Sequence, residues 1–260
     1  MFLEIVEGVS DGLMVVIIIV GALILLLSLV GVVVQIYLMA SYVKYNRREN
    51  SIGKTGEEVA RLILDNHDLE KIKVSATGSL LFGNSYSHYF KKVRLRRLTY
   101  KKKSVTSLAM ACQKSSLAVL DKENDPAMKT RIVLTPIVFF GPISVVPIVI
   151  IGVLFDLLVF HTEGICTIIA SIVGASIFLA SFVLQIFMIK TEKVAQNRAL
   201  ELMKNDNLAN DEEIEICKHL FKLYNIDYIN NLILQLLELV WRILMIFLRS
   251  QQNFSTSNNK

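Results

Sequence analysis

The chain is poor in the residues that build metal centres and nucleophilic sites. Its three cysteines, Cys112, Cys166 and Cys217, are scattered, with no C-x-x-C spacing. That pattern argues against a disulfide framework and a zinc knuckle, and single thiols at apolar positions read as packing residues. The four histidines, His67, His88, His161 and His219, lie in separate segments, none with a second histidine at helical spacing. Each therefore reads as a surface or loop residue, and none stands near Ser115, Ser116 or Cys112 in sequence to act as a base. The triplet Gly53-Lys54-Thr55 lacks the upstream glycines and preceding strand of a phosphate loop. The N-terminus carries Glu4, Glu7 and Asp11 where a cleaved signal peptide would be basic.

What is abundant is apolar sequence. Of 260 residues, 53% are hydrophobic, and mean hydropathy is +0.50. That is too apolar for an ordinary soluble domain and indicates an integral membrane protein. Leu13 to Met39 is long enough to span hydrocarbon. Lys44, Arg47 and Arg48 follow it, so the positive-inside rule puts the N-terminus outside and the next segment in the cytoplasm. Ile132 to Phe160, interrupted by Pro136, Pro142 and Pro147, reads as a kinked span or a helix preceded by a broken turn. Ile165 to Ile189, with small residues that allow close helix contact, returns to the cytoplasm at Lys190 and Lys193.

Between the first span and this hairpin lies a basic soluble portion. Residues Lys44 to Lys129 hold 18 of the 28 Lys and Arg against nine of the 23 Asp and Glu. Thr55 and Glu58 have capping-box spacing before the periodic Val59, Leu62 and Ile63. Lys71 to Val74 and Lys91 to Arg97 alternate like strands, with turn-rich sequence between them. The basic run reads as a solvated face beside anionic lipid, at roughly 1 kcal/mol per basic residue. With little aromatic interleaving beyond Tyr100, nucleic acid ranks below lipid as a partner.

Ser104 to Glu123 is helical, has no Gly or Pro, and starts at a Ser suited to an N-cap. Polar helices around Asn205-Asp206-Asn207 follow the hairpin. Ile229 to Leu248 is apolar apart from a stripe of Asn231, Gln235, Glu238, Arg242 and Arg249; it either spans with the stripe turned into the bundle, the favoured reading because a stripe facing lipid is costly, or lies along the membrane face. The residues from Gln251 read as a disordered tail.

This order of parts, with Thr55-Gly-Glu-Glu-Val-Ala-Arg-Leu-Ile-Leu64, Val93-Arg-Leu95, the Ser104 helix, the hairpin, and Glu192 followed by Arg198-Ala-Leu200, resembles the bacterial neutral zinc metallopeptidases of membranes. These are similar in style to HtpX-like proteases. The resemblance implies an H-E-x-x-H helix, in which two histidines hold zinc and the glutamate is the base, with a ligand Glu from a later helix. Its flanks put those positions at Gln113, Lys114 and Leu117, and the later Glu at Glu192; Val194 replaces an acid. A neutral amide, a lysine and a leucine are unsuited to holding a dication. Two readings of Lys114 stay open: a salt bridge to Glu192, or a side chain that snorkels to the membrane surface.

The expected fold is mainly α: a membrane helix bundle with a small cytoplasmic zincin-like portion and a short strand pair. Its expected parts are an anchor (1–43), the zincin-like portion with the degenerate helix 104–123 (44–130), a hairpin (131–189), cytoplasmic helices (190–228), a membrane helix (229–248) and a tail (249–260). The expected function is a catalytically inactive metallopeptidase homologue in the cell membrane, without zinc or another cofactor. It would bind a peptide or protein partner at an edge strand formed by Val93, Arg94, Leu95, Arg96 and Arg97. An active zinc peptidase with other ligands and a basic module binding anionic lipid are the alternatives. Oligomeric state is left open.

Overall fold

The computed structural model describes residues 11–78, 83–160 and 164–258. The predicted tight connection at His161 falls outside them except for Gly164. The fold is mainly α, with seven helices and one small sheet among the described residues. In order they are α1 (Asp11–Arg47), α2 (Gly56–Asn66), β1 (Lys73–Thr77), β2 (Ser85–Ser87), β3 (Lys92–Arg96), α3 (Arg97–Lys101), α4 (Val105–Lys122), α5 (Pro126–Leu154), α6 (Ile165–Asn205) and α7 (Asp211–Asn258). The chain forms two compact units, one of residues 45–218 and one of residues 1–44 with 219–260. Helices α1, α5, α6 and α7 each contain a stretch long and apolar enough to cross a membrane.

In the larger unit, local chemistry sets the helix starts as the sequence predicts. Thr55 Oγ1 accepts from the Glu58 amide, and the Glu58 carboxylate accepts from the Thr55 amide at 2.7 Å, closing the capping box of α2. Ser104 caps α4 through the Ser107 amide. Helix α4 is the core element: every residue from Val105 to Leu120 is buried, among α2, α3, the sheet and α6. Small residues on two sides, Ala109, Ala111, Ala118, Ser115 and Ser116, let neighbours approach all round it.

The sheet differs from the predicted pair. It has three strands in the order β1-β3-β2, with β3 parallel to β1 and antiparallel to β2. The turn-rich stretch supplies the third strand. Thus Val93, Arg94, Leu95 and Arg96 lie in the central strand, not at an edge, and Arg97 already begins α3. Val93 and Leu95 are fully buried on one face of this strand, which packs against α4.

Helix α5 runs through its three internal prolines, and the chain continues as one π-helical stretch, Phe155–Phe160. A Cβ on Gly152 would stand 2.5 Å from Ala170 Cβ and 2.9 Å from the Cys166 carbonyl, so α5 and α6 touch through backbone there. The π-helical stretch carries Asp156, whose carboxylate accepts from the Cys166 and Thr167 amides at 3.0 and 2.7 Å. It caps α6, whose own N-cap, Gly164, has no side chain to offer. Helix α6 continues without a break from the apolar run to Asn205, so the hairpin and the first polar helix are one element.

In the smaller unit, the α7 part pairs with α1. The Asn230 amide approaches the Leu27 carbonyl, Trp241 lies over Gly21, and Ile17 packs with Leu248. The predicted inward polar stripe is corrected: Gln235, Glu238 and Arg242 are exposed, and Asn230 takes the buried polar place. Helix α7 runs on to Asn258, through most of the segment predicted as a disordered tail.

Candidate functional site

Gln113 and Lys114 sit midway along α4, where its residues have no solvent-facing side. A charged head there must find a partner. Thr191, Glu192 and Ala195 of α6 pass alongside, and Ser116 Oγ donates to the Ala195 carbonyl at 2.8 Å, fixing the register of the two helices. Glu192 then faces α4. Its Oε1 accepts from Lys114 Nζ at 2.7 Å and from Gln113 Nε2 at 2.7 Å. Its Oε2 accepts from Arg131 Nη1 on the second turn of α5. One carboxylate thus ties three helices together.

The Lys114–Glu192 pair is the one of the two open readings that holds; snorkelling is excluded by a lysine side chain only 10% exposed. Arg131 is not marked by the sequence as a site residue. Its only signal there was a cation at the start of an apolar helix, a feature any membrane-flanking helix shows. Leu117 lies one turn beyond and joins an apolar cluster with Leu120, Met128 and Ala195, against which Tyr86 and Val194 pack. Gln113, Lys114 and Leu117 therefore present an amide donor, an ammonium and a hydrocarbon.

A second polar group closes the far end of this face. Asp121, one turn after Leu117, accepts from Tyr86 Oη at 2.6 Å, His88 Nδ1 at 2.7 Å and Lys91 Nζ at 3.3 Å. Burial pushes the Asp121 carboxyl up, but the Tyr86 and His88 hydrogen bonds and the Lys91 charge outweigh it and hold it below the usual carboxylate range. Burial and the bond to Asp121 raise the Tyr86 phenol well above its ordinary value. His67 and His219 stand elsewhere, the first beside Asp206 and the second against Tyr37.

The sequence profile of a family described as putative neutral zinc metallopeptidase matches residues 16–248. This chain belongs to that family. A relative, the putative membrane protease YugP of Bacillus subtilis (strain 168), is 26% identical over 217 residues, which cover 84% of this chain and 91% of that protein. No solved structure matches.

Family membership corrects two of the expectations above. The chain was predicted not to be an enzyme and to use no cofactor. The matched family is described as a zinc metallopeptidase and the relative is named a protease, which point instead to a peptidase and to zinc. The residues at the α4–α6 junction do not themselves fit that ion. Glu192 has both oxygens committed to cations, Gln113 presents its N–H group, and Leu117 has no donor atom. No catalytic step through a metal at these four side chains follows from their geometry.

Proposed function

We propose that this chain is a membrane-embedded member of the zinc metallopeptidase family that receives an extended polypeptide segment at the cytoplasmic face. The observation that carries the proposal is the position of β2. The predicted binding strand, β3, has both edges taken, but β2 is the outer strand of the sheet and has no further strand partner among the described residues. It also packs against α4, with Tyr86 reaching Asp121 and the Leu117 cluster. An extended segment added along Ser85–Ser87 would gain backbone hydrogen bonds there and lie beside the Gln113–Leu117 face.

The orientation rests on charge. Lys44, Arg47 and Arg48 follow the first apolar run, and Lys190 and Lys193 follow the apolar part of the hairpin, so both basic stretches are assigned to the cytoplasmic side, with the N-terminus outside. The relative's name, a membrane protease, supports a polypeptide as the ligand.

Site-specific photocrosslinking tests the reading. A crosslinker at Ser85 of the full chain in detergent should capture an unfolded protein such as reduced casein. One at Lys73, on the opposite edge of the sheet, should not. Equal capture at both positions, or none at Ser85, refutes the assignment. Zinc content and casein hydrolysis measured on the same preparation report whether capture is coupled to cleavage.

A further inference from the structure

A second concave site lies at the cytoplasmic end of α1, away from the α4–α6 junction. It is an open depression of about 260 Å³ lined by Asn46, Arg47, Arg48, Glu49, Lys102, Lys103 and Ser104. Arg48 is neutralised, since its guanidinium holds Glu212 in a two-bond pair at 2.5 and 2.6 Å. Arg47 and Lys102 have no carboxylate partner among the described residues, and Lys103 feels the charge of Glu58 without a salt bridge to it, which leaves an excess of positive charge over Glu49.

The depression also has a neutral donor. Asn46 Oδ1 accepts from Ser104 Oγ at 3.0 Å and from Thr106 Oγ1 at 3.1 Å. In this arrangement Nδ2, with its two N–H groups, is the end left without a partner among the described residues. Three cations and an amide donor are complementary to an anion with several acceptor oxygens, and a phosphate group is the common one.

The position of the depression selects the source of that phosphate. The apolar run of α1 ends at Met39, and the helix continues eight residues to Arg47, about 12 Å of rise. That distance is the interfacial layer plus one side-chain length, so the cations stand at headgroup level. A cluster of basic residues at the cytoplasmic end of a span attracts anionic lipid. We propose that this depression is a phosphodiester site that takes the headgroup of an anionic phospholipid.

The test uses the full chain purified in neutral detergent and titrated with short-chain phosphatidylglycerol, short-chain phosphatidylcholine or inorganic phosphate, with bound species counted by native mass spectrometry. Phosphatidylglycerol should bind and phosphatidylcholine should not. Lys102→Gln combined with Lys103→Gln should weaken binding about tenfold or more. Lys71→Gln combined with Lys73→Gln removes the same charge from exposed positions on and beside β1 and should leave binding unchanged. The proposal is overturned if the two double variants lose affinity equally, if neither does, or if phosphatidylcholine binds as well. Inorganic phosphate binding as tightly as phosphatidylglycerol would overturn the lipid as its source. The unfolding midpoint of each variant without lipid shows that the fold is kept.

Discussion

The Lys114–Glu192–Arg131 group makes a prediction with an unusual asymmetry. Side-chain exposures are 10% for Lys114, 25% for Glu192 and 19% for Arg131, so solvent screens the group only partly. Two cations share one carboxylate. Lys114→Met removes one cation and leaves Glu192 still paired with Arg131 and bonded to Gln113. The loss is one charge-assisted hydrogen bond, about 1.5 to 3 kcal/mol, partly regained by burying the methionine chain. Glu192→Gln instead leaves two buried cations facing each other with no counter-charge, at about 3 to 5 kcal/mol. The double variant keeps one cation, Arg131, beside a neutral amide, and should recover part of that loss. The expected order of stability is therefore wild type, Lys114→Met, the double variant, then Glu192→Gln, with a coupling energy of about 1 kcal/mol or more between the two positions. Thermal and denaturant unfolding of the detergent-solubilised chain gives the apparent values. Equal costs for the two single variants, or additive effects in the double, would refute the pairing.

The Asp121 group, on the same face of α4, makes a pH prediction. A carboxyl held below its ordinary value contributes stability that is present above the unfolded value of about 3.9 and is lost as pH falls through the lower folded value. Asp121→Asn should flatten the acid limb of the unfolding profile below about pH 4 and cost about 1 to 3 kcal/mol at neutral pH, through the unmet Tyr86 hydroxyl; an unchanged acid limb counts against it. Gly152→Ala should cost about 1 to 3 kcal/mol, because its methyl meets the Cys166 carbonyl, which is backbone and cannot turn aside; a shift of the apparent unfolding midpoint measures it. Asp156→Ala removes the cap of α6 and should cost about 1 to 2 kcal/mol, with Asp156→Asn intermediate.

Much of this architecture is legible in the sequence because local rules set it. The capping box at Thr55, the Ser104 cap, the apolar runs and the turn at Asn205–Asn207 each depend on a few neighbouring residues. The missed features depend on partners distant in sequence. Three residues, Ser85 to Ser87, are too few for periodicity to reveal a strand; only pairing with Lys92–Arg94 makes them one. That pairing also turns β3 from an edge into the centre. Arg131 joins the candidate site only because α5 crosses beside α6, which no spacing in the chain encodes. The polar stripe of α7 misled for a related reason. Five residues with helical spacing define a face, but not which face the neighbour takes, and Asn230 is the buried one.

The arrangement at the α4–α6 junction explains how a helix can keep its place with these residues at its centre. A carboxylate at Glu192, buried between helices, requires positive charge within bonding distance. Lys114 and Arg131 supply two positive charges, as many as a divalent ion carries, from side chains tethered to two different helices. The tethering brings a constraint that a diffusible ion does not. The cations tie α4, α5 and α6 together, whereas Leu117 fills its position with hydrocarbon in a cluster with Ala195 of α6, against which Val194 packs. Electrostatic and apolar contacts therefore alternate along one face: Lys114 with Glu192, Leu117 with Val194, then Asp121 with Tyr86 and His88. The first holds α6 and α5 to α4, the second α6 again, and the third the β2 edge with the turn after it. A change at any one of the three would loosen the floor beneath β2, which is why the stability of Lys114 variants and polypeptide capture at Ser85 should fall together.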